Sequence, residues 1–267
     1  MLKRTAVAVM TVFMLAGAGA MAQDFDFNSV SGAKVKALKQ KLDTQQGTNW
    51  FLFPDLSSDR AAAVPFDEDV PPAIQAQIRD DMAFIGTIQS SDASGLHRKI
   101  FGPVDGRAYL DFFNSRVKGI GMDDCGSAIA VACVIPFVDS SKMWLTQNYI
   151  KFSHPQISRL MVVFHESRHT ETSNGNWSHA RCPRPFVDAD GKPITSIWTG
   201  SFLAGEAACD STPYGSYGSS LIMLKNIQKF CTNCTDKVRM DAGIYADDQF
   251  KRITSASAIK AIKADLY

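Results

Sequence analysis

Apolar residues recur every three or four positions in several separate stretches of this 267-residue chain, which is the pattern of helices with one buried face. The 73–88 stretch is the clearest of them, with Ile74, Ile78, Met82 and Ile85 at helical spacing. The same periodicity predicts further helices over residues 33–42, 106–120, 202–210, 220–230 and 255–266.

Other stretches have the pattern of strands and loops. Residues 128–137 are apolar and rich in β-branched side chains, and residues 143–152 alternate between apolar and polar positions. Asp139-Ser140-Ser141 separates them, so we expect a small antiparallel sheet or hairpin. A short strand is predicted over 49–53, and a loop over 172–200, where Asn, Gly, Pro and Ser are frequent. A hairpin in a mainly helical chain predicts the α+β class.

A helix predicted just after this hairpin carries the most specific motif in the sequence. Its apolar face consists of residues at helical spacing, Ile157, Leu160, Met161 and Phe164. Ser153 and Gln156 have the spacing of a capping box at its start. His165 and His169 follow one turn apart, so both imidazoles project from the same side of the helix.

The segment His165-Glu166-Ser167-Arg168-His169 is an H-E-x-x-H pattern. Two neutral imidazoles at this separation can share one zinc ion, and Glu166 can reach a water molecule at the open metal position. The alternative is a surface helix whose histidines face solvent. Only five histidines and four glutamates occur in the chain, and the motif lies on an apolar helix, so we favour the metal interpretation.

A catalytic zinc generally has three protein ligands, so a third must come from outside this helix. Glu206 is the first candidate, because it lies among small residues that would let a second helix approach closely. Asp210, one turn later on the predicted 202–210 helix, can accept the spare N–H of a ligating histidine. An ordinary solvated carboxylate is the alternative for Glu206.

Other donors for the third position are weaker candidates. His179 is within reach through the loop and could bind the metal or stabilise an oxyanion. Asp188 and Asp190 are explained by turn chemistry. A metzincin would have a glycine and a histidine three and six residues after His169, where this chain has Thr172 and Gly175.

H-E-x-x-H followed some tens of residues later by E-x-x-x-D resembles the gluzincin branch of the zincin metallopeptidases. The resemblance covers only these two segments. It implies three zinc ligands, His165, His169 and Glu206. It also implies Glu166 as general base and Asp210 as the carboxylate behind a ligand. The zincin fold that it implies has a cleft between two parts. One part has a strand edge beside the active-site helix, and the other part is mainly helical.

Two roles in this cleft have open assignments. Tyr214, Tyr217 or His179 could hydrogen-bond the oxyanion that develops on the substrate. The 143–152 strand is either the edge that holds a peptide backbone by strand addition or an ordinary core strand.

The first 22 residues have the pattern of a secretory signal peptide. Lys3 and Arg4 precede a short apolar run over 6–16, and Ala20-Met21-Ala22 is a small-x-small cleavage site. We therefore expect a single exported domain over 23–267, in the periplasm or outside the cell. An uncleaved anchor is the alternative, but the run is short for a bilayer.

Six cysteines in an exported chain suggest three disulfides. Short sequence separations favour Cys125 with Cys133 and Cys231 with Cys234, which would leave Cys182 to pair with Cys209. The last pair would tie the 172–200 loop to the segment that carries Glu206. A redox motif is the alternative for Cys231-Thr-Asn-Cys234, but such motifs normally open a helix after a strand, and here an apolar helical run precedes the pair.

These features predict a secreted zinc metallopeptidase that contains one catalytic Zn²⁺ and acts on a peptide or protein. Glu166 would remove a proton from the zinc-bound water and pass it to the leaving amine. Two alternatives are an exported binding protein with a structural zinc and a zinc hydrolase of non-peptide amides or esters. The net charge of +1 gives no strong attraction to nucleic acid or anionic lipid, so neither partner is expected, nor is stable membrane insertion.

Overall fold

The computed structural model describes residues 64–171 and 178–267. The predicted signal peptide 1–22, the 33–42 helix and the 49–53 strand lie outside these described residues. Within them the protein has a mixed α+β architecture, which consists mainly of helices and a small three-stranded sheet. The predicted class is therefore confirmed.

The elements follow one another closely along the chain. The first group is α1 (Pro72–Ile85), α2 (Gly95–Ile100), α3 (Gly106–Arg116) and β1 (Gly119–Met122). The second group is β2 (Ala132–Ile135), α4 (Pro136–Asp139), β3 (Ser140–Leu145) and α5 (Gln147–Lys151). The third group is α6 (Gln156–His169), which carries the motif, then α7 (Ser216–Phe230), α8 (Asp236–Lys251) and α9 (Ala256–Leu266). The periodicity of the sequence did not predict α2 and α8.

The sheet has the order β1-β3-β2, with β3 in the centre. β2 pairs antiparallel with β3 and places Cys133 opposite Trp144, whereas β1 pairs parallel with β3. The expected hairpin is thus present, but its second strand ends at Leu145 and α5 follows within the predicted 143–152 strand. Because β3 has a partner on each side, the interpretation of this segment as a substrate-binding edge is wrong.

The helix that carries the motif, α6, is the central element of the core. It contacts α1, α3, α7 and α8, and also β2 and β3. Every residue from Ile157 to His169 is buried except the half-buried Arg159. The sequence predicted a single buried face, whereas the surrounding helices and sheet enclose this helix on all sides.

Two sets of contacts fix the position of α6. Asp81 of α1 is fully buried and accepts hydrogen bonds from Arg159 Nε at 2.7 Å and Nη2 at 2.6 Å. Gln156 also donates to Asp81, at 3.1 Å, and the helix begins after Pro155 without a side-chain cap, so the predicted capping box is absent. Further along α6, the ring of Phe164 packs against aromatic residues at centroid distances of 5.5–6.4 Å, namely Phe101, Tyr109, Phe112 and Phe113.

Three disulfides join the predicted partners, Cys125 with Cys133, Cys182 with Cys209, and Cys231 with Cys234. All three pairings are confirmed. They indicate an oxidising compartment, where such bonds persist. None of the helices in residues 64–171 and 178–267 is both long and apolar enough to cross a bilayer.

His97 of α2 is a fully buried histidine beside the Phe164 aromatic cluster. Its Nε2 accepts a hydrogen bond from the Tyr109 hydroxyl at 2.7 Å, and its Nδ1 donates to the Gly102 carbonyl at 3.0 Å. Both ring nitrogens are therefore satisfied in the neutral form. Burial lowers the pKa of His97 from 6.5 to about 4.

We predict that this histidine makes the protein less stable in mild acid. Between pH 6.5 and pH 4 the unfolded chain binds a proton at His97 that the folded chain does not bind, so stability falls as the pH falls through this range. Because of His97, the free energy of unfolding should decrease by about 2 kcal/mol between pH 7 and pH 5. Urea unfolding at both pH values measures it, and a His97→Gln variant should show the smaller pH dependence. Equal pH dependence in the two proteins would contradict the prediction.

Candidate metal centre

Three histidine side chains converge at the C-terminal end of α6. His165 and His169 come from the helix, and His179 comes from the segment between α6 and α7. The Nε2 atom of His165 lies 3.1 Å from those of His169 and His179, and the latter two are 3.0 Å apart. The three nitrogens therefore form a nearly equilateral triangle.

This triangle is small enough for one metal ion to contact all three nitrogens. Zinc–nitrogen bonds of about 2.0–2.1 Å place tetrahedral ligands about 3.3–3.4 Å apart, close to the observed separations. Burial and the charges of nearby groups lower the pKa of His165 well below its ordinary value, which keeps its imidazole in the neutral form that binds metals. Three neutral imidazoles whose ring nitrogens converge in this way can share one cation. The donor set therefore fits a divalent metal.

Asp210 holds His179 in the orientation that a ligand needs. Its Oδ1 accepts a hydrogen bond from His179 Nδ1 at 2.9 Å, which leaves the lone pair on Nε2. Its Oδ2 accepts from the backbone N–H groups of Tyr217 at 2.8 Å and Gly218 at 3.2 Å, in the first turn of α7. A Cβ atom on Gly215 would lie 2.3 Å from this Oδ2, so only glycine fits there.

The segment 178–210 folds back on itself and so brings His179 to Asp210. The Cys182–Cys209 disulfide joins the two arms of this segment. Backbone hydrogen bonds run alongside it, from Cys209 N to the Ala180 carbonyl at 3.0 Å and from Cys182 N to the Glu206 carbonyl at 2.8 Å. The disulfide thus stabilises the wall of the site that supplies the third imidazole.

The structure does not bring Glu206 into the histidine group. The predicted 202–210 helix is absent; the chain turns at Gly205, whose φ of 81° lies in the left-handed region. Glu206 is half-buried and uses its backbone carbonyl in this turn, and its carboxylate is not among the ligand atoms that lie within 4.8 Å of one another. His179, which the sequence ranked below Glu206, lies beside His165 and His169 instead.

Glu166 is the buried carboxyl group of the motif, with only 4% of its surface exposed. Burial raises the pKa of Glu166 to about 8. Its Oε2 has no hydrogen-bond partner in the part of the chain that the structure describes. A buried carboxyl group with a raised pKa and an unpaired oxygen is a candidate functional group.

The structure separates the two candidate tyrosines. The Tyr217 ring stacks on the His179 ring at a centroid distance of 4.3 Å, and it lies 4.5 Å from the His165 ring. Tyr214 is exposed, and its backbone carbonyl accepts a hydrogen bond from Arg168 at 2.7 Å. Tyr217 is therefore the tyrosine at the centre.

Carboxylates elsewhere in and near the segment 171–190 have other partners. Asp188 accepts backbone hydrogen bonds from Asp190 at 3.0 Å and Lys192 at 2.9 Å, the turn chemistry that the sequence indicated. Glu171 pairs with Arg116 at 2.6 Å and also with Arg168. These groups stabilise turns and helix ends.

Sequence reasoning missed Arg252, which follows α8. Its guanidinium carbon lies 4.6 Å from the centroid of the Tyr217 ring. The Arg252 carbonyl accepts a hydrogen bond from Asp210 N at 2.9 Å, and Thr254 N donates to the Asp210 carbonyl at the same distance. No local motif marks Arg252, because it reaches the site only through the packing of α8 beside α7.

The two competing third ligands predict opposite results for a pair of alanine variants. His179→Ala should weaken zinc binding by at least about a hundredfold, because it removes one of three ligands. Glu206→Ala should leave zinc affinity within about threefold of the wild type, because no contact with the imidazoles is lost. Competition with a chromophoric chelator measures both affinities. The reverse order would restore Glu206 as ligand and contradict the three-histidine centre.

Asp210→Asn tests the carboxylate behind His179. Asparagine can still accept the backbone hydrogen bonds of α7, so the fold should persist. Loss of the negative charge behind the imidazole should lower zinc affinity about 10–100-fold, a range typical of such partners. The matched control is Asp188→Asn in the exposed turn, which should bind zinc like the wild type. Equal affinities for the two variants would show that Asp210 has no role in metal binding.

Comparison with protein-family models, with curated proteins and with solved structures found no match to this chain.

Proposed function

We propose that this protein is a zinc-dependent hydrolase of peptide bonds. The observation that carries the proposal is the convergence of three imidazole nitrogens, two of them from the helix that also carries the buried Glu166 carboxyl. In this arrangement His165, His169 and His179 would hold one metal ion. The H-E-x-x-H motif on α6 supports the peptidase assignment, since in peptidases with this motif the glutamate is the general base.

The number of ligands favours catalysis over a structural zinc. Structural sites are usually closed by four protein ligands, whereas catalytic sites have three and leave one position for water or substrate. Within residues 64–171 and 178–267 the group contains three histidines and no cysteine or carboxylate. All six cysteines are used in disulfides. This donor set supports an open coordination position.

Zinc supplies two kinds of chemistry when it is bound at such a site, polarisation of a carbonyl group and a lower pKa for a coordinated water molecule. Glu166 then has two tasks in succession. It accepts a proton from the attacking water, and it donates that proton to the nitrogen of the leaving amine. A cation held by the three histidines would favour the carboxylate form of Glu166 that the first task needs.

The surroundings of the site support hydrolysis in an exported protein. The disulfides indicate an oxidising compartment, and Cys182–Cys209 stabilises the site wall in that setting. Zinc is proposed over other divalent metals because imidazole is among its usual ligands and because it does not change its oxidation state during hydrolysis. Export by cleavage after Ala22 is part of the proposal.

Glu166→Gln tests the catalytic role directly. The variant should bind zinc like the wild type, because the three imidazoles remain, and it should lose about 10²–10⁴-fold in turnover, the usual contribution of a general base. Zinc content by mass spectrometry and digestion of a mixed peptide library with and without chelator provide the two measurements. Glu171→Gln, the same substitution at an ion-paired carboxylate near the helix end, serves as control and should stay active.

Three results would count against the proposal. A Glu166→Gln variant that hydrolyses peptides at the wild-type rate would contradict the general-base role of Glu166. Bound zinc without any hydrolysis by the wild type would point to a structural ion. Cleavage of simple esters or amides but of no peptide would change the substrate class and leave the site chemistry intact.

A further inference from the structure

The segment 178–210, which supplies His179, contains no helix and no strand of the three-stranded sheet. It buries a small apolar cluster of its own, separate from the main core, which consists of Cys182, Phe186, Leu203, Ala208 and Cys209. Two of these five residues are therefore the halves of one disulfide. A long segment without regular secondary structure has few other means of holding one conformation, so its order depends strongly on this bond.

The two arms of this segment are held to the rest of the protein in different ways. Asp210 is bound to the first turn of α7 through its carboxylate and to the segment 252–254 through its backbone. The arm with His179 is joined to the Asp210 arm by the Cys182–Cys209 disulfide, by backbone hydrogen bonds and by the His179–Asp210 contact. Single hydrogen bonds of this kind stabilise a fold only slightly, whereas a crosslink that closes a long loop removes much of the freedom of the reduced chain.

Both cysteines of this disulfide are buried, with 2% of the surface of Cys182 and 0% of that of Cys209 exposed. A reductant must attack a sulfur directly, so the bond is protected once the segment has folded. The bond is thus formed during folding and is not opened and closed in the mature protein. The dependence of the site on this bond therefore acts once, when the chain meets an oxidising compartment.

We propose that oxidation of Cys182 and Cys209 is the step that gives this protein its third metal ligand. The two thiols lose two protons and two electrons to a disulfide-bearing oxidant, whose own disulfide is reduced to two thiols. Before this step His179 is not held beside His165 and His169, and the chain binds zinc weakly. A hydrolase built in this way is inactive until it has left a reducing compartment. The inference rests on the metal centre of the proposed function but not on hydrolysis.

The test removes the bond by substitution, because free thiolates bind zinc themselves and would obscure the result of chemical reduction. The Cys182→Ala/Cys209→Ala variant of the full-length mature protein should bind zinc about 10–100-fold more weakly than the wild type, up to the loss expected for His179→Ala. The matched control is Cys231→Ala/Cys234→Ala, which removes the disulfide between α7 and α8 and should bind zinc within about threefold of the wild type. Competition with a chromophoric chelator measures these affinities.

A double-mutant cycle separates an effect on His179 from a general loss of stability. When His179→Ala is already present, removal of the Cys182–Cys209 bond should change zinc affinity by less than about threefold, because the ligand on which the bond acts is absent. An equal loss in the presence and in the absence of His179 would overturn the inference. Wild-type zinc affinity in the Cys182→Ala/Cys209→Ala variant would also overturn it.

Circular dichroism and urea unfolding establish whether the variant without the bond still folds. If the alanine pair does not fold, Cys182→Val with Cys209→Ala replaces it, since valine restores part of the lost volume. Failure of both variants to fold would count against the inference, because the bond would then be required by the whole domain and not by the site.

The outcome for the disulfide is separable from the outcome for the enzyme. A protein whose zinc affinity falls when the bond is removed, but whose wild type cleaves no peptide, contradicts the proposed function and supports this inference. A wild type that cleaves peptides, with unchanged zinc affinity in the variant, has the opposite meaning. A wild type that binds no zinc contradicts both.

Discussion

The Asp210 carboxylate is the contact on which the proposed site depends most. One oxygen orients His179, and the other accepts two N–H groups at the start of α7. The backbone of the same residue is paired with the segment 252–254 that follows α8. A single residue thus joins the loop that supplies the third imidazole to the two longest helices of the C-terminal half. Both contacts of the carboxylate are favourable. The N-terminus of a helix stabilises a negative charge, and a negative charge behind a ligating imidazole makes that imidazole more basic.

The helix α6 provides the other half of the site in a different way. Its two histidines are separated by one turn, so their relative position follows from helix geometry. Its absolute position follows from packing, because Asp81 binds Arg159 at one end and an aromatic cluster surrounds Phe164 further along. The rigid element therefore carries two imidazoles and the buried carboxyl group. The third imidazole comes from a loop, and Asp210, Tyr217 and the Cys182–Cys209 disulfide hold it in place.

The local features could be predicted from the sequence. The motif helix, the paired histidines and the disulfides all depend on residues close in the chain or on short separations between cysteines. The third ligand could not be predicted from periodicity, because Gly205 adopts a left-handed turn where the apolar spacing indicated a helix. The predicted disulfide nevertheless indicated which histidine lies near Asp210, because His179 precedes Cys182 by three residues and Asp210 follows Cys209 directly. Joining the two cysteines brings these side chains together.

Long-range packing explains what the sequence pattern did not show. The buried face of α8 consists partly of small and polar residues, such as Ala242, Gly243, Asp248 and Gln249, so large apolar residues do not mark it. Gly243 lets this helix approach α7 closely, since a Cβ there would lie 2.3 Å from Gln228. Arg252 reaches the centre only through this close packing. In the same way, the polar residues His165, Glu166 and His169 of α6 are buried because other elements pack around this helix.

The central claim is that three imidazoles from α6 and one loop bind a single divalent ion, and anomalous diffraction at the zinc edge of crystals grown with zinc tests it most directly. The account predicts one strong peak at about 2.0–2.1 Å from Nε2 of His165, His169 and His179, with a non-protein atom completing the coordination. A peak bound by Glu206 in place of His179, or no peak between the three rings, would contradict it.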